Sequence, residues 1–214
     1  MKAEYITHLG NDLMVVNSAR VSFLKESDFD IDGLVTGRDE RLIQYLAEHN
    51  HWTPFSHPQI TMRESVPIFV ARQRFKHMIG FTYNEVSRRY VDDAPEFFMP
   101  EVWRSRPEGS MKQGSGVAHK DQGFYSKAYS ELMVSLRECY ESMIKDGIAP
   151  EQARMVLPQS MMTSYYVTGS LAAFARAYKQ RIDAHAQVEI QELAKQWGEI
   201  IAPLYPASWK ALTQ

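Results

Sequence analysis

Apolar residues recur at helical spacing over several stretches of the chain. In RDERLIQYLAEHN, Leu42, Ile43, Leu46 and Ala47 follow early acids, which predicts a short amphipathic helix. PIFVARQRFKHM opens on a proline, a good first helical residue, and repeats apolar side chains at Ile68, Ala71, Phe75 and Met78. A long helical pattern runs from Gly123 to Ile148 through Tyr129, Leu132, Met133, Leu136 and Tyr140. A short helix ending at Leu157-Pro158 follows, and SLAAFARAYKQR and AHAQVEIQELAKQWGEII predict two more. Period-two alternation marks QITMRESV as a strand, and MMTSYYVTGS is β-like and closes on glycine. The β-branched bulk of Val15, Val16 and Val21 in LMVVNSARVSF predicts a strand and then a turn. HWTPFSHP, punctuated by two prolines, reads as a loop. No internal repeat is evident, and the mixture predicts one α+β domain over residues 1–214.

Composition changes this picture little. Hydrophobic residues at 44% and charged residues at 23% are ordinary for a globular protein. A formal net charge of −2 gives no global field for nucleic acid or an anionic membrane, so anion recognition must be local. No apolar run approaches the length of a membrane span, and MKAEYITHLG has no apolar signal core. The single cysteine, Cys139, excludes an internal disulfide framework and fits a reducing compartment, so the expectation is a cytoplasmic protein. RSRPEGSMKQGSGVAHKDQ, residues 104–122, has three glycines and no periodicity, and is expected to be a mobile loop.

Local charge does stand out in RFKHMIGFTYNEVSRRY, Arg74 to Tyr90. It holds four cations, one histidine and a single acid. On a continuous helix Arg72, Gln73, Lys76 and His77 would share a polar face. Asn84, Glu85, Ser87 and Arg89 follow Gly80, and Phe75, Phe81, Tyr83 and Tyr90 interleave the charges. Such a set can wrap phosphates and a polar heterocycle, although a generic charge run is usually a solvated face. A second constellation, QRIDAHAQVEI, gathers Arg181, Asp183, His185, Gln187 and Glu189. His185 and Glu189 have a spacing that can chelate a metal; the plainer reading makes Asp183 the cap of the following helix. HWTPFSH adds His51 and His57 around an apolar turn, more often hydrogen-bonded fixtures than ligands.

Five ordered blocks together resemble one family. ARQRFKHMIGFTYNEVSRRY is similar to the signature of flavin-dependent thymidylate synthases (the ThyX family), with Lys76-His77-Met78 standing where that signature has Arg-His-Arg. NSARVSF, HWTPFSH, ARMVLP and RIDAHAQVEI resemble the family's other blocks, and the set spans Asn17 to Ile190. The resemblance implies a domain with an antiparallel or mixed sheet flanked by helices, assembling as a homotetramer with sites between subunits. It also implies reductive methylation of dUMP to dTMP, with methylenetetrahydrofolate as carbon donor, NADPH as reductant and FAD as hydride carrier.

Carried over by position, the resemblance places Gln73, Arg74, Phe75, Lys76, Glu85, Val86, Ser87, Arg88, Arg89, Arg154 and Arg181 against dUMP. It places Ser22, His51, Thr53, Lys76, His77, Met78, Asn84 and Glu85 against FAD, with Ser170, Leu171, Ala172, Arg176 and His185. The chemistry agrees with this. Attack from uracil C5 needs electron density on the ring, and an arginine such as Arg181 stabilises the developing oxyanion without giving up a proton. Cys139, mid-helix and without an adjacent base, is expected to be a packing residue rather than a nucleophile. Two other classes stay open: a nucleic-acid-binding module on the basic-aromatic stretch, and a metal-dependent hydrolase built from His51, His57, Asp183 and His185.

Overall fold

The computed structural model describes residues 1–107 and 114–214. Four antiparallel strands form one sheet: β1 (Lys2–Leu9), β2 (Gln59–Pro67), β3 (Phe81–Glu85) and β4 (Met162–Ser170), in the order β1-β2-β4-β3. The helices are α1 (Asp12–Arg20), α2 (Gly37–Glu48), α3 (Ile68–Arg74), α4 (Gln122–Lys145), α5 (Pro150–Ala153), α6 (Leu171–Arg181), α7 (Val188–Ile201) and α8 (Pro206–Thr213). The α+β expectation holds, and the sheet is wholly antiparallel. Among the described residues no helix is long and apolar enough to cross a membrane.

Alternation along β2 and β4 decides which face is covered. Ile60, Met62, Val66, Tyr165 and Val167 are buried on one side, while Thr61, Arg63, Tyr166 and Thr168 lie on the other. Helices close over the apolar side, where Phe174 of α6 and Ile190, Leu193 and Trp197 of α7 complete the core. At Gly169, opposite Phe81 in the register, an added Cβ would come within 2.3 Å of the Phe81 ring, so only a glycine lets that ring lie on the sheet.

Four elements depart from the sequence reading. The LMVVNSAR stretch is helix α1 rather than a strand. Asn11 caps it, accepting from the Met14 amide at 3.2 Å, and Asp12 accepts the Ala207 and Ser208 amides at 2.8 and 2.9 Å. Capping and docking on α8 outweigh the β preference of Val15 and Val16, both of which end in the core. The N-terminal residues form β1, although a strand exposed along most of its length shows little apolar alternation. β3 lies inside the basic stretch, and α3 stops at Arg74, so Lys76 and His77 belong to a turn rather than a helix face. An antiparallel bridge between Arg104 and Ala118 ties the 104–122 segment together, and its last residue, Gln122, opens α4; residues 108–113 of the expected loop lie outside the described residues.

Candidate active site

The end of β3 and the segment after it, α3, and the start of β4 enclose a cleft of about 540 Å³. Phe75, Glu85, Val86 and Ser87 line it, with the cationic side chains of Arg72, Arg88, Arg89 and Arg154. The sequence folds this way because the Val86 amide continues the pairing to Ser164 at 2.9 Å before the chain turns away. Arg88 is pinned by the Asp93 carbonyl, and Arg89 Nε reaches Ser87 Oγ at 3.3 Å while lying 5.0 Å over the Tyr90 ring. Glu85 accepts from Thr163 Oγ1 at 2.7 Å, which orients the one carboxylate of the cleft. Four guanidinium groups against one fixed carboxylate make this a trap for an anion that also presents donors. Thr163 is among the lining residues that sequence reasoning missed, with Val91, Leu157, Met161 and Met162, and nothing in an isolated threonine signals it.

Arg181 leaves the end of α6 and meets the turn after α3. Its Nε donates to His77 Nε2 at 2.8 Å and its Nη2 to the Gln73 carbonyl at 3.3 Å. Gln73 in turn donates to Gln187 Oε1 at 2.6 Å. Gln187 donates to Glu189 Oε2 at 2.8 Å, and Glu189 also pairs with Arg104. Burial, then the positive charges of Arg181, Arg74 and Arg176, hold the His77 imidazole down at about 4. It is therefore neutral near pH 7 and can accept the hydrogen bond from Arg181. Burial, then Arg74, lowers Arg181 from its ordinary value. Arg181, Gln187 and Glu189 of the RIDAHAQVE block are thus linked through Gln73 into one set of hydrogen bonds.

Not every expected ligand residue faces open space. Arg74, expected against dUMP, is fully buried: it pairs with the equally buried Glu64 at 3.2 Å, and its carbon Cζ lies 4.3 Å from the Phe81 centroid and 4.5 Å from that of Trp197. Leu171 is also fully buried, so its side chain is core, and the Ser170 hydroxyl is occupied as the cap of α6, accepting from Ala173 N at 3.2 Å. Glu64 could have been found, since a charge at the apolar phase of QITMRESV demands a partner. Asp183 does not cap α7, whose N-cap is Gln187; it accepts from the backbone and ring of its neighbour His185 at 2.8 and 2.9 Å. Cys139 is exposed on α4 rather than packed.

A second surface neighbours the first. The turn 77–80 docks on the start of α6, with the Ser170 amide donating to Gly80 O at 3.2 Å and Arg176 Nη2 to Ile79 O at 2.5 Å. Gly80 has φ +79, and an added Cβ would meet Ala173 at 2.9 Å, so the two segments approach too closely for a side chain. The 3₁₀ turn Thr53–Ser56 packs on the same α6, and Leu171 N donates to Pro58 O at 3.0 Å. Met78, Ile79 and Trp52 are largely exposed here, and Lys76, His51, Thr53, Asn84 and Arg176 are exposed as well. Ser22 and His185 are exposed on other segments. Exposed apolar groups beside isolated cations suit a ligand with a flat ring system and a charged diphosphate. Among the described residues no three His, Cys, Asp or Glu side chains gather to hold a metal ion, so the hydrolase alternative has no support.

Residues 4–207 match the family model described as Thymidylate synthase complementing protein, Thy1. A flavin-dependent thymidylate synthase of Thermosipho africanus is 35% identical over 207 residues, covering 95% of this chain and 86% of that protein. One from Thermus thermophilus is 30% identical over 210 residues, covering 98% of this chain and 74% of that protein. The crystal structure of a UMP/dUMP methylase, PolB from Streptomyces cacaoi, bound with 5-Br dUMP, superposes with a TM-score of 0.87 at 28% identity. That match covers 99% of this chain and 94% of the other. The arginine-lined cleft and the Arg181 network are therefore carried on the fold of the Thy1 family, to which this chain belongs.

Proposed function

We propose that the chain is a flavin-dependent thymidylate synthase that converts dUMP to dTMP with methylenetetrahydrofolate as carbon donor and NADPH as reductant. The observation that carries this is the cleft, which Arg88, Arg89 and Arg154 line together with Ser87. That geometry fits a nucleotide phosphate, and Glu85, fixed by Thr163, fits a donor on sugar or base. Arg181 stands at the uracil, where its permanent charge stabilises the oxyanion that builds up as C5 attacks the one-carbon unit. Gln73 and Lys76 belong to the same segment and help to orient the ring, with Phe75 and Val86 as apolar walls.

FAD fits the second surface. Met78, Ile79 and Trp52 offer exposed apolar contact, and Lys76 and Arg176 offer charge for a diphosphate. His51, Thr53, Asn84 and the backbone of residues 170–172 lie on the segments that surround it. When bound, the flavin supplies the hydride that reduces the methylene carbon to methyl. The chain's own residues bind, orient and exclude water; Cys139, exposed and without an activating base bonded to it, takes no part. Along α4, Phe124, Leu132 and Val134 are exposed while Met133 and Tyr140 are buried, a surface that suits burial against a second copy in a homotetramer. The test is direct: protein reconstituted with FAD, given dUMP, methylenetetrahydrofolate and NADPH, forms dTMP. Absence of dTMP with every substrate present would defeat the reading.

A further inference from the structure

We propose that His77 and Tyr83 are positioning residues for Arg181: His77 aims the guanidinium through its ring Nε2, and Tyr83 fixes the carbonyl of His77. Three contacts carry this. His77 is buried, with 8% of its surface exposed, and its Nε2 accepts from Arg181 Nε at 2.8 Å. The Tyr83 hydroxyl donates to the His77 carbonyl at 2.7 Å and accepts from Arg74 Nη1 at 2.6 Å. Arg74 is itself immobilised by Glu64, whose Oε2 also accepts from Tyr165 Oη at 2.5 Å. Hydrogen bonds therefore link a buried ion pair in the core to the backbone of His77 through one phenol, and the imidazole of that same residue to Arg181.

Only the neutral imidazole with its proton on Nδ1 can accept at Nε2. The charges facing it favour that form. Arg181, Arg74 and Arg176 are all cations, and the carboxylate that pairs with Arg74, Glu64, is spent on Arg74 and Tyr165. The hydrogen bond takes one edge of the Arg181 fork, and the Gln73 carbonyl takes a second nitrogen. Nη1 is left with no partner among the described residues as the donor available to a substrate oxygen. A guanidinium held by two acceptors loses little rotational freedom when it binds, so a fixed direction is what the network contributes.

This inference rests on the reading that Arg181 faces uracil, and the experiment separates the two. Imidazole ¹⁵N NMR on the substrate-free protein, with His77 identified by its loss in His77→Gln, reports the tautomer without any turnover. The expected result is a single neutral Nδ1–H form from pH 5 to 8, and a mixed or shifted signal in Tyr83→Phe, which keeps the ring in place. Turnover is then measured at saturating FAD. His77→Leu should lose kcat by about tenfold or more with dUMP KM within about threefold, and His77→Gln, which retains an acceptor, should recover most of it. An Nε2–H tautomer in the wild type, a Tyr83→Phe signal identical to wild type, or equal kcat in His77→Leu and His77→Gln would each overturn the proposal. If the NMR result holds but Arg181→Ala turns over normally, the assignment of Arg181 to uracil fails, and the role of His77 in catalysis fails with it.

Discussion

Arg74 and Glu64 meet at 3.2 Å with neither side chain exposed at all. Their strands and helices were placed by apolar packing, yet the pair sits in the middle of it, under the aromatic rings of Phe81 and Trp197. Arg74 Nη2 has no hydrogen-bond partner among the described residues and is left to the ring faces.

Removing one partner strands a charge in the core. Arg74→Ala should cost about 3–5 kcal/mol in urea unfolding, whereas the double replacement Glu64→Leu with Arg74→Met should cost far less. Equal losses in the single and double variants would show that the charge itself is not what makes the site costly.

Arg181→Ala should lower kcat by a factor on the order of 10² or more, because the charge it supplies is needed most in the transition state. Flavin content is checked by absorbance in the same samples, so that a loss of cofactor is not mistaken for a loss of chemistry. Near-normal kcat would move the oxyanion contact elsewhere.

Cys139→Ala should keep full turnover and, since the thiol is exposed, should shift stability by no more than about 0.5 kcal/mol. Loss of dUMP methylation in a folded variant would point to attack on the ring by a thiolate.

The His77 imidazole is lowered from 6.5 to about 4 in the folded protein, with burial as the main cause and the neighbouring arginines next. Unfolded chains therefore bind a proton between those values that the native protein does not. The contribution of His77 is intact above about pH 6.5 and is lost as pH falls towards 4. Urea midpoints should drop across that window more steeply in the wild type than in His77→Gln. Parallel profiles would mean that the imidazole titrates normally.

Much of the architecture was legible because its signals are local. The alternation of β2, the long period of α4 and the helical pattern of α6 survive in any context. What failed depended on distance in the chain. The helix over Asp12–Arg20 is secured by amides of residues 207 and 208, which no window around the valines contains. The cleft residues were recognisable as a block, but the fate of each was not. Arg74 and Arg88 look alike in a string of letters; one is buried on Glu64 and the other lines the cleft because a helix ends and a strand begins between them.

That burial constrains how the sequence can drift. Glu64 and Arg74 lie on different elements, ten positions apart, and each is tolerable only while the other is present. A lineage cannot lose one and keep the fold at its former stability; it must pass through a paired exchange. Sequences that share this architecture should therefore show the acid and the base together or neither, with an apolar or aromatic residue at both positions when the pair is gone. The cationic letter inside the motif then belongs to the core's history rather than to the ligand's.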